Sequence, residues 1–239
     1  MTTLLDEALS QEALLATLSM TSISVPERTR GRTTQQVETW TICRLLATLG
    51  QNKRLEFPLS IIHRDRPDIL LIEIDKKTGI EITEAVPQQW AEYCAIAERE
   101  FPDALLEPAH FGWGAPKRTL SELRALLSQK HLSSDGWAGD QPEREWALFM
   151  QASINRKIEK ISRNDFVKFN QNWLVIYDGL PFNGIDIEKT NNFLNKKLLD
   201  VWNKQPSFHS IFIEHCNYIL EFTPSGTKVM QLNDLWKNK

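Results

Sequence analysis

The sequence predicts an α/β protein in which one mixed central sheet is flanked by helices, with an N-terminal helical appendage and a loop-rich insertion. Three observations carry that expectation. Apolar residues switch along the chain between helical spacing and short strand-like runs. The resulting order, α, β-β-β, α, insertion, α, β, α, β-β, alternates as layered α/β domains do. The chain of 239 residues, 41% hydrophobic and 25% charged, has ordinary globular usage and enough length to bury a core without staples. That usage excludes a disordered chain, a collagen and a coiled coil.

Residues 4–18, LLDEALSQEALLATL, have helical spacing and would form the appendage. The polar stretch that follows, with Pro26 and Gly31, reads as a loop, so residues 1–32 are set apart from a main domain over 33–239. Thr33 or Thr34 is placed to cap a helix that ends at Gly50, with Val37, Trp40, Cys43, Leu45 and Leu49 on its apolar side. The period then shortens. Residues 55–62, 68–75 and 79–86 read as strands, and Asp75 to Gly79 as a hairpin loop in which Gly79 takes positive φ. A helix follows Pro87. Residues 102–142 are rich in Pro and Gly and read as an insertion holding one helix over 120–132. A long helix begins at Pro142, and residues 172–178 form a buried strand. Asp186 caps the next helix. Residues 210–216 and 217–223 form two closing strands, with Asn217 at the break.

Net charge is −3, which names no partner by itself. Cys43, Cys94 and Cys216 are far apart and odd in number, against a disulfide framework or a zinc knuckle. Acids near the N-terminus argue against a signal peptide, and no apolar run reaches the roughly 18 residues of a membrane helix. A cytoplasmic protein with no membrane contact is the expectation. Charge is nonetheless uneven. Bases outnumber acids over 28–66 and again over 151–171, while acids dominate 67–101. An acidic hairpin between two basic segments suits a metal site flanked by phosphate contacts. Patchy solvated faces give the same pattern.

The informative segment runs from Arg66-Pro67-Asp68 to Gly79-Ile80-Glu81-Ile82-Thr83-Glu84. Two carboxylates and a strand carbonyl form a hard oxygen set suited to Mg²⁺ or Mn²⁺, which polarises a phosphodiester and activates water. This pattern, with the element order, resembles the PD-(D/E)XK nuclease superfamily, the restriction-endonuclease-like fold, over residues 34–86 and more loosely 143–215. The resemblance implies a Mg²⁺-dependent nuclease acting on nucleic acid, DNA first, and leaves room for a homodimer. It makes Asp68 and Glu81 the metal ligands and Glu38 the first-helix acid. The family's Lys, two residues after the Glu, is replaced by Thr83. Some branches carry that Lys on a following helix, where Lys157 is the first candidate and Lys160 the second. Arg156, Lys160 and Arg163 share a helix face and are the candidate phosphate contacts. If the site has lapsed without its Lys, the chain is instead a nuclease-fold module that binds nucleic acid or a protein. A plain scaffold whose acidic hairpin makes salt bridges is the third reading.

Register is the difficulty. With residues 76–79 as the loop, Asp75 pairs with Ile80 and Glu81 lies opposite Ile74. That is roughly 20 Å from Asp68 in a flat hairpin, so a bulge or another pairing is needed. Glu84 is an alternative ligand if a bulge turns it. Asp75-Lys76-Lys77 spells a competing D-x-K but falls in a turn. The five histidines show no metal spacing, and no phosphate-loop or nucleophile-elbow motif is present.

Overall fold

The computed structural model describes residues 2–129, 131–182 and 184–237. Among the described residues eight strands form one sheet, in sequential order. They are β1 (Thr2–Ala8), β2 (Leu59–His63), β3 (Ile69–Glu73), β4 (Lys76–Ala85), β5 (Gln171–Asp178), β6 (Ser210–His215), β7 (Tyr218–Thr223) and β8 (Gly226–Gln231). β4, β5 and β6 run parallel and every other neighbouring pair is antiparallel. Among the described residues six α-helices accompany them: α1 (Gln11–Met20), α2 (Thr34–Gln51), α3 (Gln88–Glu100), α4 (Leu120–Leu127), α5 (Gln141–Ile161) and α6 (Ile187–Trp202).

The sheet separates two cores. On one face α1 and α2 pack over Leu59, Ile61, Ile69, Ile80 and Val175. On the other, α5 and α6 bury Trp146, Met150, Leu194 and Leu198 against Leu174, Ile176 and Ile211. The crossovers from β4 to β5 and from β5 to β6 carry α5 and α6 over one face, and α1 and α2 cover the other, so the parallel strands are buried on both sides. The insertion makes a small core of its own from α3, α4 and Phe111. Among the described residues no helix is long and apolar enough to cross a membrane.

Caps behave as their residue types dictate. Thr33 and Gln36 form a reciprocal capping box at the start of α2, and the Asp186 carboxylate accepts from the N–H groups of Glu188 and Lys189.

Several elements depart from expectation. Thr2–Ala8 is a strand paired with β2 rather than the first part of a helix, so the N-terminal segment is the edge of the sheet, not an appendage. Gly50 does not end α2. It lies inside the helix, where a Cβ would stand 3.3 Å from Leu14 of the crossing α1. Helix α4 stops at Leu127, and Lys130, part of the longer helix expected there, lies outside the described residues. β8 was not foreseen. The hairpin correction matters most: Glu73 faces Lys76 across a two-residue turn, Ile74-Asp75. Gly79 is therefore mid-strand. Its missing side chain is required by close packing, because a Cβ would meet Phe169 at 2.8 Å and Pro67 at 2.9 Å.

Candidate active site

The shorter turn removes the register problem. Ile69 pairs with Ile80, which sets Asp68 directly opposite Glu81 at the point where β3 begins. β4 continues past that point with only β5 beside it. The overhang leaves the backbone of Ile82 without a strand partner on the β3 side, and such groups need partners. Side chains supply them. Asp68 Oδ2 accepts the Ile82 N–H at 2.7 Å, and Lys157 Nζ donates to the Ile82 carbonyl at 2.7 Å.

Glu81 is 1% exposed. Its Oε2 accepts from Lys157 Nζ at 2.9 Å and Lys160 Nζ at 2.8 Å. Both ammonium groups also lie 3.9 Å from the Asp68 carboxylate. Two carboxylates and two ammonium groups thus form one half-buried cluster. It is not fully satisfied: Glu81 Oε1 is buried with no hydrogen-bond partner. Burial first, and then the Glu81 charge, push the Asp68 carboxyl up to about 6, against the pull of Lys157 and the Ile82 N–H. For Lys160, burial works against the ammonium, but the hydrogen bond to Glu81 and the charges of Asp68 and Glu81 win and hold its pKa above the ordinary value.

The cluster opens on a cleft of about 570 Å³, lined among others by Arg28, Arg32, Glu38, Asp68, Thr83 and Lys160. A second hollow of about 420 Å³, bordered by His63 and Arg64, shares Glu38, Asp65 and Asp68 with it. The N-terminus of α2, at Thr33 and Thr34, faces the cleft and brings its positive dipole end there.

Of the residues singled out by sequence, Asp68, Glu81 and Lys157 converge. Lys160 belongs with them and not with Arg156 and Arg163, which are exposed. The buried stripe of α5 runs through Ser153, Ile154, Ile158 and Ile161, so positions 157 and 160 flank it and reach the sheet together. Thr83 lines the cleft. Glu38 stands at the cleft wall, where its Oε2 lies 2.8 Å from His63 Nε2. Glu84 also lines the cleft but is paired with Arg28 and Arg32, so it stands apart from the Asp68–Glu81 cluster. The basic run over 28–66 announced those arginines, but only the folded loop shows that they meet Glu84.

Among the described residues no group of three or more His, Cys, Asp and Glu side chains gathers as a metal-ligand set. Any cation here would rely on Asp68, Glu81 and the Ile82 carbonyl. No family model, no curated protein and no solved structure matches the chain.

Proposed function

We propose that the chain is a Mg²⁺- or Mn²⁺-dependent nuclease with a PD-(D/E)XK-like core, acting on DNA ahead of RNA. The observation that carries this reading is the convergence of Asp68, Glu81 and Lys157 around the Ile82 backbone, at the free edge of a strand overhang. The donor set fits a hard cation. Glu81 Oε1 is buried and partnerless, the Asp68 carboxyl is pushed up by burial and by Glu81's charge, and the Ile82 carbonyl faces the same space. Such a cation would polarise a phosphodiester and lower the pKa of its bound water.

The chain's own residues have separate parts. Asp68 and Glu81 hold negative charge in place. Asp68 is fixed by the Ile82 N–H. Lys157 and Lys160 supply positive charge where phosphate oxygens gain negative charge during phosphoryl transfer. Arg28, Arg32 and the α2 N-terminus line the approach and suit the flanking phosphates.

One observation favours a second reading. Lys157 and Lys160 already pair closely with Glu81 and stand 3.9 Å from Asp68, as in a lapsed site kept as an ion cluster. That chain would be a nuclease-fold module that binds nucleic acid or a protein without cutting.

Cleavage of duplex DNA, single-stranded DNA and RNA in Mg²⁺ or Mn²⁺ tests the proposal. Wild type should cut at least one substrate. Asp68→Asn, Glu81→Gln and Lys157→Ala should each lose at least about a hundredfold in rate. Metal-dependent cutting that survives all three substitutions would refute the assignment. No cutting by wild type would leave the module reading.

A further inference from the structure

A cavity of about 850 Å³ lies not over the carboxylates but beside them. Trp40 of α2, Tyr177 of β5 and Trp236 line it, and the segment 20–27 closes one side. It shares Arg32 and Val37 with the cleft. Tyr177 is the register partner of Glu84, which lines the cleft. Neighbouring strands lie about 4.8 Å apart, so the aromatic floor sits about one strand away from the cleft. That offset matches the separation of base and phosphate within one nucleotide.

The polar wall of this cavity is Arg44 with Asp234. The Arg44 guanidinium lies over the Trp40 ring at 4.3 Å. It donates to Glu214 Oε1 at 2.9 Å and to Asp234 Oδ2 at 2.7 Å. Asp234 Oδ1 accepts the Trp236 N–H at 3.1 Å. The Glu214 side chain is 3% exposed and that of Asp234 26%, so Asp234 is the carboxylate presented to the cavity. Each of its oxygens has taken one hydrogen bond and has a lone pair left, and the guanidinium has donors to spare. The remaining lone pairs of Asp234, the carboxylate that lines the cavity, suit a ligand edge carrying N–H donors. An Asp beside an Arg complements an edge with two adjacent donors next to an acceptor. Guanine's N1–H, N2 amine and O6 present that order.

We propose that this cavity receives one unstacked nucleobase, guanine first, while the adjoining phosphate lies in the Asp68–Glu81 cleft; the inference rests on reading that cleft as a nucleic-acid site. Stacking on the aromatic rings supplies sequence-tolerant affinity, and the Asp234–Arg44 pair supplies selection.

Tryptophan-fluorescence titration of the full chain with 5′-GMP, guanosine, IMP and AMP, with no divalent metal added, tests it. GMP should bind at least about tenfold more tightly than AMP or IMP, the discrimination expected of a bidentate base contact. Asp234→Asn should erase that preference. Trp236→Leu should weaken every base by about tenfold through lost stacking. Arg32→Gln should remove the advantage of GMP over guanosine. No saturable binding by any of the four at millimolar concentration would overturn the inference, as would equal affinity for GMP and AMP or a preference that survives Asp234→Asn. If GMP fails while metal-dependent cutting sensitive to Glu81→Gln persists, the inference falls and the nuclease reading stands. Guanine-selective binding without cutting of any nucleic acid does the reverse.

Discussion

Two buried glutamates, Glu81 on β4 and Glu214 on β6, meet cations from helices on opposite faces of the sheet, and they are held in different ways. Glu81 is met by two lysines that share one of its oxygens. Glu214 is met by Arg44, which is also pinned to Asp234 and stacked on Trp40. Each glutamate keeps one buried oxygen without a partner. A guanidinium fixed by two carboxylates and a ring is a rigid fitting. An ammonium is a compact point charge on a flexible stem. The lysine cluster also opens on the cleft. The Arg44 guanidinium is therefore fixed in place, while the Lys157 and Lys160 ammonium groups sit where the proposed divalent cation would have to displace them.

Removing the cations should separate the two clusters most sharply. Arg44→Met leaves Glu214 buried and unpaired and should cost about 3–5 kcal/mol. Lys157→Met leaves Glu81 with Lys160 and should cost no more than about 1–2 kcal/mol. Urea denaturation of both variants measures this, and equal losses would erase the distinction.

The next largest effect concerns pH. Burial, partly offset by Arg44, pushes the Glu214 carboxyl up to about 7 from its ordinary 4.5. A carboxyl whose pKa is raised on folding stabilises the fold below its unfolded value. That contribution fades as pH rises through the folded value. From pH 4.5 to 7.5 this group should remove on the order of 3 kcal/mol. Glu214→Gln should flatten the dependence, as read from denaturation midpoints across that range. An unchanged slope in the variant would place the titration elsewhere.

The smallest effect concerns exposed cations. With Lys160 drawn into the carboxylate cluster, Arg156 and Arg163 remain as the outer charges of α5. Replacing both with Gln should reduce the slope of log affinity for duplex DNA against log salt by about 2. Fluorescence anisotropy in Ca²⁺ measures it, and an unchanged slope would remove both arginines from the interface.

The sequence was most legible where a short pattern decides the local structure. The Thr33 and Asp186 caps, the helical spacing of α5 and the apolar run of β5 all followed from residue type. Asp68, Glu81 and Lys157 were found through the order of elements and a family resemblance. The illegible parts depend on partners distant in the chain. LLDEALSQEALL has helical spacing, yet its first residues pair with β2. β8 buries only Met230, so it shows little apolar alternation and exists through its pairing with β7. Gly79 carries a turn residue's identity, but Phe169 and Pro67 crowd it. A turn at Gly79 would separate Asp68 from Glu81, whereas the observed turn at Ile74-Asp75 brings them opposite each other. Lys160 reads both as the second candidate for the displaced Lys and as a phosphate contact beside Arg156 and Arg163, because helical spacing alone does not say which flank of α5 meets β4.

The proposed site requires that a divalent cation held by Asp68 and Glu81 displace the ammonium groups of Lys157 and Lys160. Calorimetric titration with Mn²⁺ at pH 7.5, above the raised Asp68 value of about 6, tests it most directly. Wild type should bind one ion, Glu81→Gln should lose that binding, and Lys157→Ala should bind more tightly because a competing cation is gone. Binding that is absent in wild type, or equal in wild type and Glu81→Gln, would contradict the account.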